Sequence, residues 1–425
     1  MLVSLGAEPL TGLADTAFVS ILGSASVAAL GVGTVVLSSA LWTLSFLGIG
    51  TQTEVAHALG AGQSDRAREL SGLALVLAAV FGLGLVAVGL PSAGKVAAAM
   101  GATAGVYADA VVYLRIRLLG APAVLITIAA FGTLRGLLEM RTPLRIAVSI
   151  NALNILLDAV LIFGMGPVPP FGVAGAAWAS IASQWFGAIW AAAAVRNRLG
   201  LPRRLHGRDV RLLLTVGRDL FLRTGMLTGF VLLTTRAATR IGADAGAANQ
   251  AIRQVWNFTA LVLDAYGASA QSLVGYFLGA KDRDQARRVA FVACAWGFGT
   301  GLVLTLGMWL GRSAVAQLLV PASARDVFLL PWMVASSCQP LNALSFATDG
   351  IHWGASDYPY LRNAMVLATL VGGIGISLVD EGAPGALDLI WIVTGCWIVV
   401  RTVLGVGRIW FGIGSGPLAK KRDRV

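Results

Sequence analysis

The run LSGLALVLAAVFGLGLVAVGL, Leu70–Leu90, contains no charged residue. A helix rises 1.5 Å per residue, so about 20 such residues cross the hydrocarbon core of a bilayer. A barrel strand needs only about 9–11, and this run is far longer. Backbone N–H and C=O groups inside lipid must be satisfied within the segment, which leaves the helix. Val27–Thr53 is a second uncharged run and reads the same way.

Composition extends that reading to the whole chain. Of 425 residues, 57% are hydrophobic and 12% charged, against about 25% charged in an average soluble domain. The expected fold is an all-α polytopic membrane protein with twelve transmembrane helices. The spans fall at about 1–22, 27–53, 70–90, 108–134, 144–164, 172–195, 212–239, 247–274, 289–310, 327–351, 363–379 and 387–410. The start is abrupt and without a basic leader, so a few residues are expected upstream. Cys294, Cys338 and Cys396 lie inside apolar runs without metal-ligand spacing and read as packing residues.

The net charge of +11 would suit nucleic acid, but its placement excludes that partner. Lys and Arg collect between spans, on alternate connections: Arg66 and Arg68; Arg141; Arg196, Arg198, Arg203, Arg204, Arg208 and Arg211; Lys281, Arg283, Arg287 and Arg288. The tail adds Lys420, Lys421, Arg422 and Arg424, whereas the other connections hold little more than Lys95, Arg240, Arg312 and Arg325. The positive-inside rule then places both termini in the cytoplasm, with the cell membrane as the expected location.

The chain is expected to divide into a six-helix lobe over residues 1–195, a basic linker over 196–211, a second six-helix lobe over 212–410 and a basic tail over 411–425. Gly48–Arg68 aligns without gaps on Gly267–Arg287, a shift of 219 residues, with Gln52/Gln271, Leu59/Leu278, Gly60/Gly279, Asp65/Asp284 and Arg68/Arg287 among the identities. An even number of spans per half gives parallel repeats, with a site expected between them. Gly225-x-x-x-Gly229 and Gly297-x-x-x-Gly301 have the spacing that brings membrane helices together. No phosphate loop, HExxH or GxSxG signature appears, so the chain is not expected to be an enzyme and needs no cofactor.

Function should reside where polar groups are expensive. Asp15 sits in LTGLADTAFV, Leu10–Val19, where a carboxylate costs roughly 2.5–3.5 kcal/mol on insertion scales. Glu8 and Thr11 share its helical face, and Pro9 is expected to bend that helix. In span five, Asn151, Asn154 and Asp158 sit at i, i+3 and i+7 on one face. A carboxylate with two amides suits a hard cation or a proton; a stripe that only fastens helices is the alternative. If the fold brings Asp15 beside Asp158, two carboxyls in low dielectric cannot both stay ionised, and the pair is expected to take up a proton or Na⁺. In the second half Gln250, Asn257, Asp264 and Gln271 recur every seven residues, and Gln339, Asn342 and Asp349 share span ten. They read as lining a substrate cavity, or as partners for Arg223, Arg236 or Arg253. Trp256, Trp353 and Phe258 are candidates to stack on a flat cation, and Arg115 and Arg117 read as snorkelling from the outer end of span four. Glu54 and His57 read as a solvated helix end, and His206 and His352 as isolated.

Taken together, AEPLTGLADTAFV (Ala7–Val19), LGAGQSDRAR (Leu59–Arg68), LRGLLEMRTPLR (Leu134–Arg145), NALNILLDAVLIFGMG (Asn151–Gly166), AQSLVGYFLGAKDRDQARRVA (Ala270–Ala290) and QPLNALSFATDGI (Gln339–Ile351) resemble the multidrug and toxic compound extrusion (MATE) transporters, and most their DinF-like branch. The resemblance spans essentially the whole chain. It implies two six-helix lobes around a central cavity and export of organic compounds, cationic and amphipathic, in exchange for H⁺ or Na⁺. The family's first-helix acid falls on Asp15, its fifth-helix asparagine and acid on Asn154 and Asp158, and a sixth-helix hydroxyl, more loosely, on Ser180. Asp15, Asn154 and Asp158 are therefore a candidate Na⁺ site. Where the branch reads LRG-QDTRTPL, this chain has Leu138, Glu139 and Met140. The expected partners are a small-molecule substrate and membrane lipids, with the protein monomeric. The rivals are a lipid-linked precursor flippase of the same superfamily, with a broader cationic groove, and a passive channel or scaffold. The shift of 219 pairs Asp15 with Thr234, so ion coupling is expected to reside in the first half.

Overall fold

A computed structural model describes residues 12, 15–102, 104–202, 204, 206–412 and 416–418. Glu8, Pro9, Thr11, Arg203 and the basic tail at 420–424 lie outside them. The described residues are helical, with no strand among them, and every expected span contains helix. They form two compact units, parting between Gly217 and Arg218.

The first unit holds α1 (residues 15–20), α2 (Ser24–Thr43), α3 (Phe46–Gly60), α4 (Ser64–Ala99), α5 (Ala104–Leu118), α6 (Ala121–Gly136), α7 (Arg141–Phe163), α8 (Val173–Leu199) and the start of α9 (Gly207–Ile241). The second holds the rest of α9, then α10 (Ala243–Gly279), α11 (Arg283–Leu310), α12 (Arg312–Leu319), α13 (Leu329–Ser337), α14 (Gln339–Gly354), α15 (Tyr358–Ser377) and α16 (Ala386–Trp410). Span boundaries read from hydropathy need adjustment. The third span continues through Pro91 to Ala99, the second breaks at Leu44–Ser45 and the tenth at Cys338. Span four is two helices meeting at 45°. Pro122 in the first turn of α6 has no N–H for the preceding helix to continue on.

Each unit is built around its fourth span. In the first, α6 packs against α3, α4 and α8; in the second, α14 packs against α10, α11 and α16. The closest approaches repeat. A Cβ on Gly132 would collide with the carbonyl oxygen of Gly48, and a Cβ on Gly350 with that of Gly267. Gly82 lies against the backbone of Pro122, as Gly301, 219 residues on, lies against Pro340. Leu138 and Ser356 both take positive φ, 61° and 56°, just beyond α6 and α14. Of the two small-residue motifs, Gly301 makes the close contact, whereas a Cβ on Gly225 or Gly229 would meet nothing within 4 Å. Gly225-x-x-x-Gly229 therefore gives no close approach among the described residues.

The repeat also closes the basic end of each unit. Arg68 donates to the carbonyl of Leu199, and Arg287 Nη1 to the carbonyl of Leu418 at 2.9 Å. In the first unit Arg66 clamps Asp209, with Nη2 2.6 Å from Oδ1. Glu139 Oε1 accepts from the backbone N–H groups of Arg141 and Thr142 at 3.1 and 3.2 Å, and Arg198 Nη2 lies 2.9 Å from Oε2. This corner, where the chain departs from the motif it resembles, thus caps the first turn of α7 through Glu139.

Two consequences can be measured. Gly350→Val forces a branched side chain into the backbone of Gly267, and overpacking costs about 1–3 kcal/mol or more. Loss of monodisperse protein, or a large fall in melting temperature, is expected, while Gly225→Val leaves both near wild type. The Arg66 hydrogen bonds hold the Asp209 carboxyl below the usual carboxylate range. Its contribution is therefore complete above the unfolded value of about 3.9 and lost as pH falls through the folded one. Asp209→Asn is expected to melt below wild type at pH 7, the gap closing as pH drops below about 4.

Candidate functional site

In the first unit four expected residues meet inside the bundle. Asp15 comes from α1, Asn154 and Asp158 from α7, and Ser180 from α8, where it follows a small-residue run, GAA, that lets α8 lie close to α7. Gly175 in that run lies against the backbone of Leu161. Asn154 and Asp158 are fully buried, and Asp15 and Ser180 nearly so. Ser180 Oγ donates to Asp15 Oδ2 at 3.4 Å, and Asn154 Nδ2 reaches Ser180 Oγ at 3.5 Å. Both contacts are long. The carboxyls of Asp15 and Asp158 face one another. Asn151 shares the α7 face, but its Nδ2 is used on the carbonyl of Ala147 at 2.8 Å, and no bond joins it to the other four.

What is missing around these atoms matters more than what is present. Asp15 Oδ1, Asn154 Oδ1 and both carboxyl oxygens of Asp158 are buried without a donor. All four are acceptors. Buried polar groups are ordinarily satisfied, and a cluster of bare oxygens with a carboxylate among them is what a proton or hard cation completes. These residues fit the coupling ion expected from the sequence.

One residue near the cluster escaped sequence reading. Arg115 is exposed, but Arg117, assigned with it to the membrane surface, is half-buried. Its Nη1 donates to Gln184 Oε1 of α8 at 3.0 Å, and its charge acts on both Asp15 and Asp158. The break between α5 and α6 lies just beyond it, and Gly120 in that break leaves room for Gln184. The Gly-x-Pro that follows Arg117 was the available signal.

The second-unit residues are placed differently from one another. Gln250 and Asn257 on α10 are exposed, Asp264 is half-buried and Gln271 buried. On α14, Gln339 is buried with neither end of its amide bonded, and Asn342 Nδ2 has no acceptor. Asp349 is held by two arginines: Arg223 and, at 3.0 Å, Arg401 Nη2. Arg401 was not among its expected partners. The rings expected to stack on a ligand face the chain's own cations instead, Trp353 with Arg223 at 5.1 Å and Trp256 with Arg253 at 5.8 Å. Phe258 is exposed. His352, read as isolated, bridges Asp357 Oδ2 at 3.1 Å and the Gly405 carbonyl at 3.2 Å.

Comparison with known proteins gives this geometry a context. The MatE family model matches residues 1–160 and 222–377. Protein DETOXIFICATION 44, chloroplastic, of Arabidopsis thaliana is 30% identical over 432 residues, covering 98% of this chain and 81% of that protein. DNA damage-inducible protein F of Escherichia coli (strain K12) is 27% identical over 412 residues, covering 95% and 88%. A crystal structure of MATE in the bent conformation shares the fold with a TM-score of 0.89 at 21% identity, covering 98% of this chain and 94% of that one. With a family match over most of its length and a relative at that identity, the chain belongs to the MatE family of multi-spanning efflux transporters, consistent with the DinF-like branch that its motifs resemble.

Proposed function

We propose that this transporter is a secondary antiporter that exports organic compounds in exchange for H⁺ or Na⁺, with Asp15, Asn154, Asp158 and Ser180 as the coupling site. The observation that carries this reading is the set of four buried acceptor oxygens without donors. An ion arriving there neutralises the facing carboxyls and is held by Asn154 Oδ1. Without it, two buried carboxyls repel, and three of their four oxygens lack hydrogen bonds. Occupancy therefore favours whichever conformation keeps α1, α7 and α8 together. Differential affinity of that ion for two conformations is all the coupling requires.

The same reading places the basic connections on the cytoplasmic side of the cell membrane, by the positive-inside rule, and treats the protein as a monomer. The cationic amphipath expected as substrate would compete with the ion for the Asp15–Asp158 carboxyls. The second unit does not repeat those acids, since Thr234 stands at the position paired with Asp15.

Substrate efflux from proteoliposomes with pH and Na⁺ gradients imposed separately tests the coupling. Asp15→Asn and Asp158→Asn are each expected to lower gradient-driven export by about tenfold or more, the equivalent of losing at least about 1.4 kcal/mol of ion binding. Full gradient-driven export in either variant overturns the assignment. Arg117→Gln removes the neighbouring positive charge and is expected to tighten the apparent affinity for the coupling cation. Half-saturation at unchanged ion concentration in that variant would remove Arg117 from the site.

A further inference from the structure

The first unit holds a cavity of about 310 Å³ where the uncharged stretches of α4 and α8 meet the basic connections. On α4 it runs from Arg68 to Leu75, about 10 Å along the helix. On α8 it runs from Ala192 to Arg196, and Pro202 closes it. Gly72 permits that closure, since a Cβ there would collide with the Pro202 ring. One end is therefore cationic and the rest apolar, and Ala193 and Leu201 in the lining are exposed. Among the described residues no carboxylate lines it.

The two guanidiniums are unequally engaged. Arg68 Nε donates to the Leu199 carbonyl, and its Nη1 lies 3.0 Å from Asp65, whose side chain is 76% exposed. Such a surface pair is worth little. Arg196 is exposed, and its side chain has no ion pair or hydrogen bond among the described residues. The second unit repeats the frame but not the lining. Arg287 meets the Leu418 carbonyl as Arg68 meets that of Leu199, 219 residues earlier. There Phe291 stands in place of Gly72, Trp410 in place of Ala191 and Ser415 in place of Arg196. Phe291 and Trp410 meet edge to face with centroids 6.3 Å apart, and the Arg287 guanidinium carbon lies 5.9 Å from the Trp410 ring. Rings sit against the arginine in the second unit; in the first, small residues leave a cavity beside it.

We propose that this cavity binds one anionic glycerophospholipid, with its phosphate between Arg68 and Arg196 and the start of one acyl chain along Gly72, Leu75 and Ala193. Basic pockets between helices at a membrane boundary favour such headgroups. The lining supplies two cations for one phosphodiester and no carboxylate for the ammonium of a zwitterionic headgroup. Its volume is at the lower end for ligand pockets, which suits a headgroup and the first methylenes of one chain. A lipid there touches α4, α8 and Pro202, and so fastens the start of the basic linker to the first unit. The proposal does not use the coupling site; only its assignment to the cytoplasmic leaflet rests on the positive-inside reading.

Lipid binding without any gradient tests it, so failure of ion coupling is read separately. The purified full chain in nonionic detergent is titrated with dioleoyl phosphatidylglycerol, dioleoyl phosphatidylcholine and soluble glycerol 3-phosphate. Native mass spectrometry counts the lipid retained, and melting temperature reports its effect. Wild type is expected to retain one phosphatidylglycerol, preferred about tenfold or more over phosphatidylcholine, and to melt higher with it. Arg196→Gln is expected to cut that preference to about twofold, and Ala193→Trp to abolish retention by filling the cavity. Both side chains are exposed, so neither variant disturbs the core. Arg211→Gln, in the same basic linker but outside the cavity, is expected to keep the wild-type preference. Equal retention of the two lipids, an unchanged preference in Arg196→Gln, or an equal loss in Arg211→Gln overturns the proposal. Displacement of the lipid by glycerol 3-phosphate also overturns it, since the site would then read phosphate alone.

Discussion

Backbone-to-backbone contact between helices is the constraint on which both units depend. Lipid offers helices no hydrophobic reason to associate, so association relies on packing close enough to gain dispersion energy. Here α6 lies on α3 through Gly132 and Gly48, and α14 lies on α10 through Gly350 and Gly267. Neither crossing tolerates a Cβ. Once these pairs are fixed, Gly82 against Pro122 and Gly301 against Pro340 bring in α4 and α11. The caps at Leu138 and Ser356 turn the chain out of each central helix in the same way. The repeat is thus a repeat of contacts, held at the few positions where shape permits no alternative.

On that common frame the polar chemistry of the two units diverges. Asp15, Asn154 and Asp158 leave oxygens bare in the first; Arg253, Trp256 and Trp391 leave N–H groups bare in the second. Each set is expensive in a medium that cannot hydrogen-bond. A folded unit that keeps such a deficit is biased toward whichever partner meets it. Asp349 illustrates the contrast: between Arg223 and Arg401 its charge is met within the protein, as structural ion pairs are.

Much of the candidate site was legible in the sequence because helical spacing is local. Asn154 and Asp158 lie one turn apart, so a shared face needed no tertiary information. The same rule put Asn151 on that face, where its Nδ2 bonds to its own helix at Ala147 and its Oδ1 is left bare. Ser180 had no spacing argument and came only from family resemblance. Arg117 was misjudged because distance from a span's end does not reveal what the neighbouring helix offers; Gln184 lies 67 residues further on. Trp256 and Trp353 were seen as free aromatic faces because sequence does not show which arginine reaches them.

The sequence by itself determined that the chain crosses the bilayer as helices, that its halves repeat, and that carboxyls sit where lipid penalises them. Those conclusions follow from hydropathy over about 20 residues and from an ungapped alignment, both one-dimensional quantities. The helix breaks at Leu44–Ser45 and Cys338, the collision-tight glycine crossings, and the pairing of Asp349 with Arg223 and Arg401 were decided by tertiary structure alone. The reason is physical: the cost of a buried charge depends on atoms within a few ångströms of it. In this chain those atoms come from helices as far apart in sequence as Asp15 and Ser180, or Arg253 and Trp391.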